Sequence, residues 1–140
     1  MIDTALQKRI LVTAAICGAL AVLIGAFGAH GLADFLQSRG LDAETIARRS
    51  DQFDVGARYH LVHAVVLLVI AVVPFGSDRV RRAAAWMMLL GILFFSGSLY
   101  LLVALNKPWL GAVTPIGGLL WIAGWVSLVG LAKSRNDPGR

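Results

Sequence analysis

Two histidines stand three residues apart at the head of an otherwise apolar run, GARYHLVHAVVLLVIAVVPFG (Gly56–Gly76). Imidazoles at i and i+3 share one side of a helix, a spacing that suits a metal ion or a haem iron. Tyr59 lies a full turn before His63, so these two form the alternative pair on one face. The other side chains with chemistry inside apolar sequence are His30, Ser96, Ser98, Tyr100 and Thr114. Among these, only histidine has an ordinary pKa near neutrality. Cys17 is the single cysteine, which excludes an internal disulfide and a cysteine cluster for zinc or iron–sulfur. Ser96 and Ser98 have no acidic residue nearby to orient a histidine base, so no nucleophile–base–acid set forms. The sequence therefore predicts no enzyme, no resident metal and no cofactor.

The elements that position these residues follow from composition. The chain has 140 residues, 58% of them hydrophobic and 15% charged, too few charges to cover a soluble domain. Four runs, at about 10–32, 55–75, 83–105 and 110–132, contain one charged residue between them, Arg58. At about 1.5 Å per residue, each suffices to cross a hydrocarbon core of about 30 Å. No strand-like alternation recurs. The predicted fold is all-α, an integral membrane four-helix bundle in one four-span domain over residues 1–140. Asp42 suits an N-cap for a short amphipathic helix at about 43–53, expected in the membrane interface between spans one and two. Thr114–Pro115 reads as N-cap and first residue of the last helix.

A net charge of +5 would suit nucleic acid in a soluble protein, but here basic residues report topology, and no nucleic acid partner is expected. Lys8, Arg9, Arg79, Arg81, Arg82, Lys133, Arg135 and Arg140 fall on one side with three acids, Asp3, Asp78 and Asp137. Arg39, Arg48, Arg49, Arg58 and Lys107 fall on the other with five, Asp34, Asp42, Glu44, Asp51 and Asp54. This bias puts both termini in the cytoplasm. The first run resembles a secretory signal, but it is long for one and is read as a retained span.

Threaded this way, His30, Tyr59, His63, Ser96, Ser98, Tyr100 and Thr114 all fall in the outer halves of their spans. They are expected to converge in one outer-leaflet polar cluster, because unpaired polar groups are costly in lipid. His60 is expected to point around the helix and be incidental. Trp121 and Trp125 lie too deep in span four for an interfacial belt and are expected to pack against neighbours or a lipid-like ligand.

Five motifs in order resemble one family: GAFGAHGL (Gly25–Leu32), Tyr59 with His63, FSGSLY (Phe95–Tyr100), TPIGG (Thr114–Gly118) and AGW (Ala123–Trp125). They are similar to the YgdD family of small bacterial inner-membrane proteins, which has a eukaryotic transmembrane relative. The resemblance spans nearly the whole chain and implies four spans, but no reaction. Its pattern matches His30, Tyr59, His63, Ser96, Ser98, Tyr100, Thr114 and Pro115, and does not favour His60.

No acid lies within a span, which disfavours a carboxylate-driven exporter. The reading that remains is a non-enzymatic accessory or interaction subunit of the bacterial cytoplasmic membrane, contacting membrane lipids. It would act as a homo-oligomer or in a larger membrane complex. The alternatives are a histidine-based proton- or metal-linked transporter working as an oligomer, or a binder of a lipid or quinone head group.

Overall fold

The computed structural model describes residues 3–133, so Arg135, Asp137 and Arg140 of the charge count lie outside the described residues. The elements are α1 (Thr4–His30), α2 (Leu32–Ser38), α3 (Ala43–Val72), α4 (Asp78–Gly91), a π-helical turn (Ile92–Ser96), α5 (Gly97–Leu105), a 3-10 turn (Pro108–Ala112) and α6 (Thr114–Lys133). α4, the π turn and α5 run on as one rod. Four helices are thus long and apolar enough to cross a membrane, Thr4–His30, Ala43–Val72, Asp78–Leu105 and Pro108–Ala132. The protein is an all-α membrane helical bundle.

Local chemistry sets the helix ends. The Asp3 carboxylate accepts from the Ala5 and Leu6 backbone N–H groups at 2.9 and 3.2 Å. Asp42 and Ser77 cap α3 and α4 in the same way, through Thr45 and Val80. Asn106 closes α5 in the left-handed region, φ 50°. Gly76 turns the chain from α3 to α4 at φ 93°, and a Cβ there would lie 2.6 Å from Leu131, so both backbone and packing require glycine.

The helix expected at 43–53 begins where Asp42 places it, but it is not a separate element. It runs unbroken into span two, giving a rod of 30 residues, about 45 Å. No proline or glycine pair interrupts the junction, and the Asp54–Arg58 ion pair spans it at i,i+4. The polar end of α3 therefore extends the bundle axis instead of lying across it. The short separate helix is α2, whose Leu32 and Leu36 pack under Phe53, Leu102 and Val103.

α1 packs mainly on α3, and α4 on α6, while α3 also meets α4, the π turn and α5. Two apolar cores result. One, at the end carrying the N-terminus and the α3–α4 turn (the terminal end), joins Ile10, Ala14, Leu67, Ile70, Met88 and Trp121. The other, at the opposite loop end, gathers around Phe53. Between them lies the polar layer.

Candidate functional site

α3 is the spine of this layer. Arg49, Phe53, Gly56, His60, His63, Leu67 and Ile70 are all buried, alternating i+4 and i+3 spacings along one face. Both histidines belong to this stripe, so His60 does not point around the helix as expected. Its exposure is 5%, and its Nδ1 lies 3.2 Å from the Tyr100 hydroxyl on α5. Gly56, one turn earlier, makes the contact possible. A Cβ there would come within 3.1 Å of the Tyr100 ring. Tyr100 also packs on Phe53, which continues the aromatic contact to Phe27 of α1.

His63 is 4% exposed and uses both ring nitrogens. Nδ1 lies 2.8 Å from the Tyr59 carbonyl, and Nε2 is 3.3 Å from the Trp125 indole nitrogen. A carbonyl only accepts and an indole N–H only donates. The pair of partners therefore selects a neutral ring with its proton on Nδ1. Trp121 covers the imidazole face to face, with centroids 3.7 Å apart and planes within 4°. Tyr59 and Phe95 complete the aromatic group around Trp121. Tyr59 itself is 48% exposed, so it contributes a carbonyl and a ring edge of the cluster more than a buried hydroxyl.

The π turn supplies Phe95 to the Trp121 ring, while α4 supplies its hydrogen-bond acceptor. Within the turn the Gly97 N–H bonds five residues back to the Ile92 carbonyl, breaking the α-helical register. The Trp121 indole then donates to the Met88 carbonyl at 3.1 Å. Gly91 and Gly117 bring the two helices close. A Cβ on Gly91 would collide with the Trp121 ring, and one on Gly117 with the Phe95 backbone.

Ser98 and Thr114 meet through their hydroxyls at 2.8 Å, joining α5 to the start of α6. Ser96, one turn before Tyr100, is wholly buried, and among the described residues neither its Oγ nor the His60 Nε2 has a hydrogen-bond partner. His30 ends α1 and is exposed. No hydrogen bond or ring contact joins it to the cluster among the described residues. Of the seven residues expected to converge, six lie along the α3–α5–α6 seam and His30 does not. The contacts there fall into separate groups, His60–Tyr100, Tyr59–His63–Trp121–Trp125 and Ser98–Thr114, with Ser96 in none of them, instead of one shared pocket. The tryptophans expected to pack deep in span four are the partners of His63. No group of three or more metal-binding side chains occurs among the described residues.

Two arginines clamp helix ends. Arg49, 4% exposed, donates to the Asn106 side-chain Oδ1 from Nε at 3.0 Å and Nη2 at 2.8 Å, and to the Gln52 Oε1 from Nη1 at 2.8 Å. Arg81, fully buried, donates to the Ile70 and Phe75 carbonyls at the C-terminus of α3. Charge counting assigns both only a topological role. The i+4/i+3 stripe of α3 that begins at Arg49 was the signal that could have found it; Arg81 carried no comparable sequence signal.

Residues 24–118 match the family described as "Protein of unknown function (DUF423)". The chain belongs to the DUF423 family. It is 37% identical over 123 residues to a UPF0382 membrane protein of Staphylococcus haemolyticus, covering 88% of this chain and 93% of that one. It is 37% identical over 128 residues to the UPF0382 membrane protein YwdK of Bacillus subtilis, covering 88% and 94%. A UPF0382 membrane protein of Haemophilus influenzae is 33% identical over 132 residues, covering 94% and 99%. No solved structure matches the chain. These relatives are bacterial membrane proteins, and the DUF423 match spans the polar seam from α1 to the first turn of α6.

Proposed function

We propose that this chain is a non-enzymatic accessory or interaction subunit of the cytoplasmic membrane, with both termini in the cytoplasm. It works in a homo-oligomer or beside a larger membrane protein, surrounded by membrane lipids. The observation that carries the reading is the closure of the His63 site. Both nitrogens are committed to neighbours at 2.8 and 3.3 Å, and Trp121 lies flat on the ring. A metal ligand or a proton relay needs a nitrogen free to change partner. Here the imidazole instead ties α3 to α6, each hydrogen bond contributing about 0.6–2 kcal/mol in a bilayer. Outward surfaces of α1 and α6, with Leu23, Leu119 and Val126 well exposed, leave room for a partner helix. The narrower likeness to the YgdD proteins and their eukaryotic relative belongs to this proposal.

Cross-linking in the native membrane, extraction in mild detergent and mass measurement test it. A discrete assembly heavier than the 14.9 kDa chain supports the reading, and a solitary chain at every cross-linker concentration contradicts it.

A second reading, a histidine-based proton- or metal-linked transporter, has support from a different ring. His60 Nε2 and Ser96 Oγ are buried without partners on either side of Tyr100. Proton flux in liposomes that His60→Ala abolishes would favour it.

A further inference from the structure

At the terminal end of the bundle, α1 and α4 diverge above Leu67 and leave a cleft of about 370 Å³. Its rim carries Arg9 of α1 and Arg82 of α4, its wall Trp86, and its floor Leu67 and Leu89. Both arginines are exposed, and neither makes an ion pair or side-chain hydrogen bond among the described residues. The acids nearby are otherwise engaged. Asp3, on the same rim, caps α1 with one carboxylate oxygen, and Asp78 accepts from the Asp3 backbone N–H and lies 3.8 Å from Arg81. The cleft lining thus carries two unpaired guanidinium groups against the single carboxylate of Asp3, a net positive charge. Polarity falls along the helices, from the arginines through exposed Trp86 to leucines one to two turns deeper. Cation, aromatic ring and hydrocarbon in that order match phosphate, glycerol and acyl chain at the level where helices leave a bilayer.

We propose that this cleft is a binding site for an anionic phospholipid, with its phosphate held between Arg9 and Arg82 and an acyl chain on Leu67 and Leu89. Bare charge bias would need only basic residues on one side. The site claims more, that two particular arginines on different helices act on one headgroup through their guanidinium donors. It lies closer to the terminal end of the bundle than the polar seam does, shares none of the seam's side chains, and is independent of the proposed accessory role.

The test uses the full chain in mild detergent, with binding of phosphatidylglycerol, phosphatidylcholine and inorganic phosphate measured by native mass spectrometry and thermal shift. Phosphatidylglycerol should bind in preference to phosphatidylcholine, and inorganic phosphate should neither raise the melting temperature nor compete. The double variant R9Q/R82Q should weaken phosphatidylglycerol binding about 30-fold, the loss of two basic contacts to an anionic lipid. The variant R48Q/R58Q, with equal charge removed at the loop end, should leave binding unchanged. Equal losses in both double variants, no preference over phosphatidylcholine, or equal competition by inorganic phosphate would each overturn the proposal. A measurement on the wild-type chain guards against a folding defect in R9Q/R82Q. Dibrominated phosphatidylglycerol should quench tryptophan emission more than dibrominated phosphatidylcholine, and Trp86→Phe should remove that difference; persistence of the difference in Trp86→Phe would also overturn the site.

Discussion

His63 has two hydrogen-bonding atoms and uses both, so truncating it leaves the Trp125 N–H without its acceptor and strips the stacked face of Trp121. His63→Ala should therefore cost about 2–4 kcal/mol, from two hydrogen bonds and one aromatic contact. His60→Ala removes one hydrogen bond, to Tyr100, and should cost about 1–2 kcal/mol. Detergent melts of the two variants check the order, and equal losses would contradict it. Arg81 is the more severe case. Its guanidinium reaches two carbonyls at the end of α3 from full burial, with Asp78 as the nearest carboxylate. Arg81→Gln should cost about 3 kcal/mol or more, and Arg81→Lys should not restore the loss, since one ammonium cannot span both carbonyls. Unfolding in a denaturing detergent reads both. The importance of His63 was legible in the sequence from its i,i+4 relation to Tyr59. His60 was misplaced because only that pair was considered; the longer stripe from Arg49 to Ile70 carries both rings.

Glycine spacing decides how the helices meet. Gly91→Ala and Gly117→Ala each put a methyl group into the α4–α6 contact and should destabilise by about 1–3 kcal/mol. Gly18→Ala meets nothing within 4 Å and should leave the melting temperature unchanged or slightly higher. A matched set of melts separates the two classes. The N-terminus of α3 gives a pH dependence. The Thr45 backbone N–H and hydroxyl hold the Asp42 carboxyl below its ordinary value of 3.8. A lowered pKa stabilises the folded helix above the ordinary value, and that contribution disappears as pH falls through the lowered one. The protection of the Thr45 and Ile46 amides, measured against intrinsic exchange, should fall below about pH 4, and Asp42→Ala should show low protection at every pH. Caps such as Asp42 were readable because they depend on adjacent residues. The π turn was not, because no residue pattern in Ile92–Ser96 marks the shift of helical register.

At the scale of the whole molecule, four apolar stretches long enough to span a membrane follow from hydropathy alone, which is why the all-α bundle was legible before any coordinates. Depth along a span was legible too, because helix rise converts position in the chain into height. Azimuth was not: it depends on which faces α3 turns to α1, α5 and α6, and His30 shares the expected depth without sharing the seam. The molecule that results has two apolar cores joined by a polar layer whose hydrogen bonds are mostly internal. The most direct measurement is the ring nitrogen spectrum of ¹⁵N-labelled His63 in lipid bilayers at neutral pH, with and without added zinc. A neutral ring protonated on Nδ1, with a hydrogen-bonded Nε2 and no response to zinc, is the predicted result. A zinc-dependent shift of either nitrogen, or a proton on Nε2, would contradict a closed histidine joint and return His63 to the chemistry of transport.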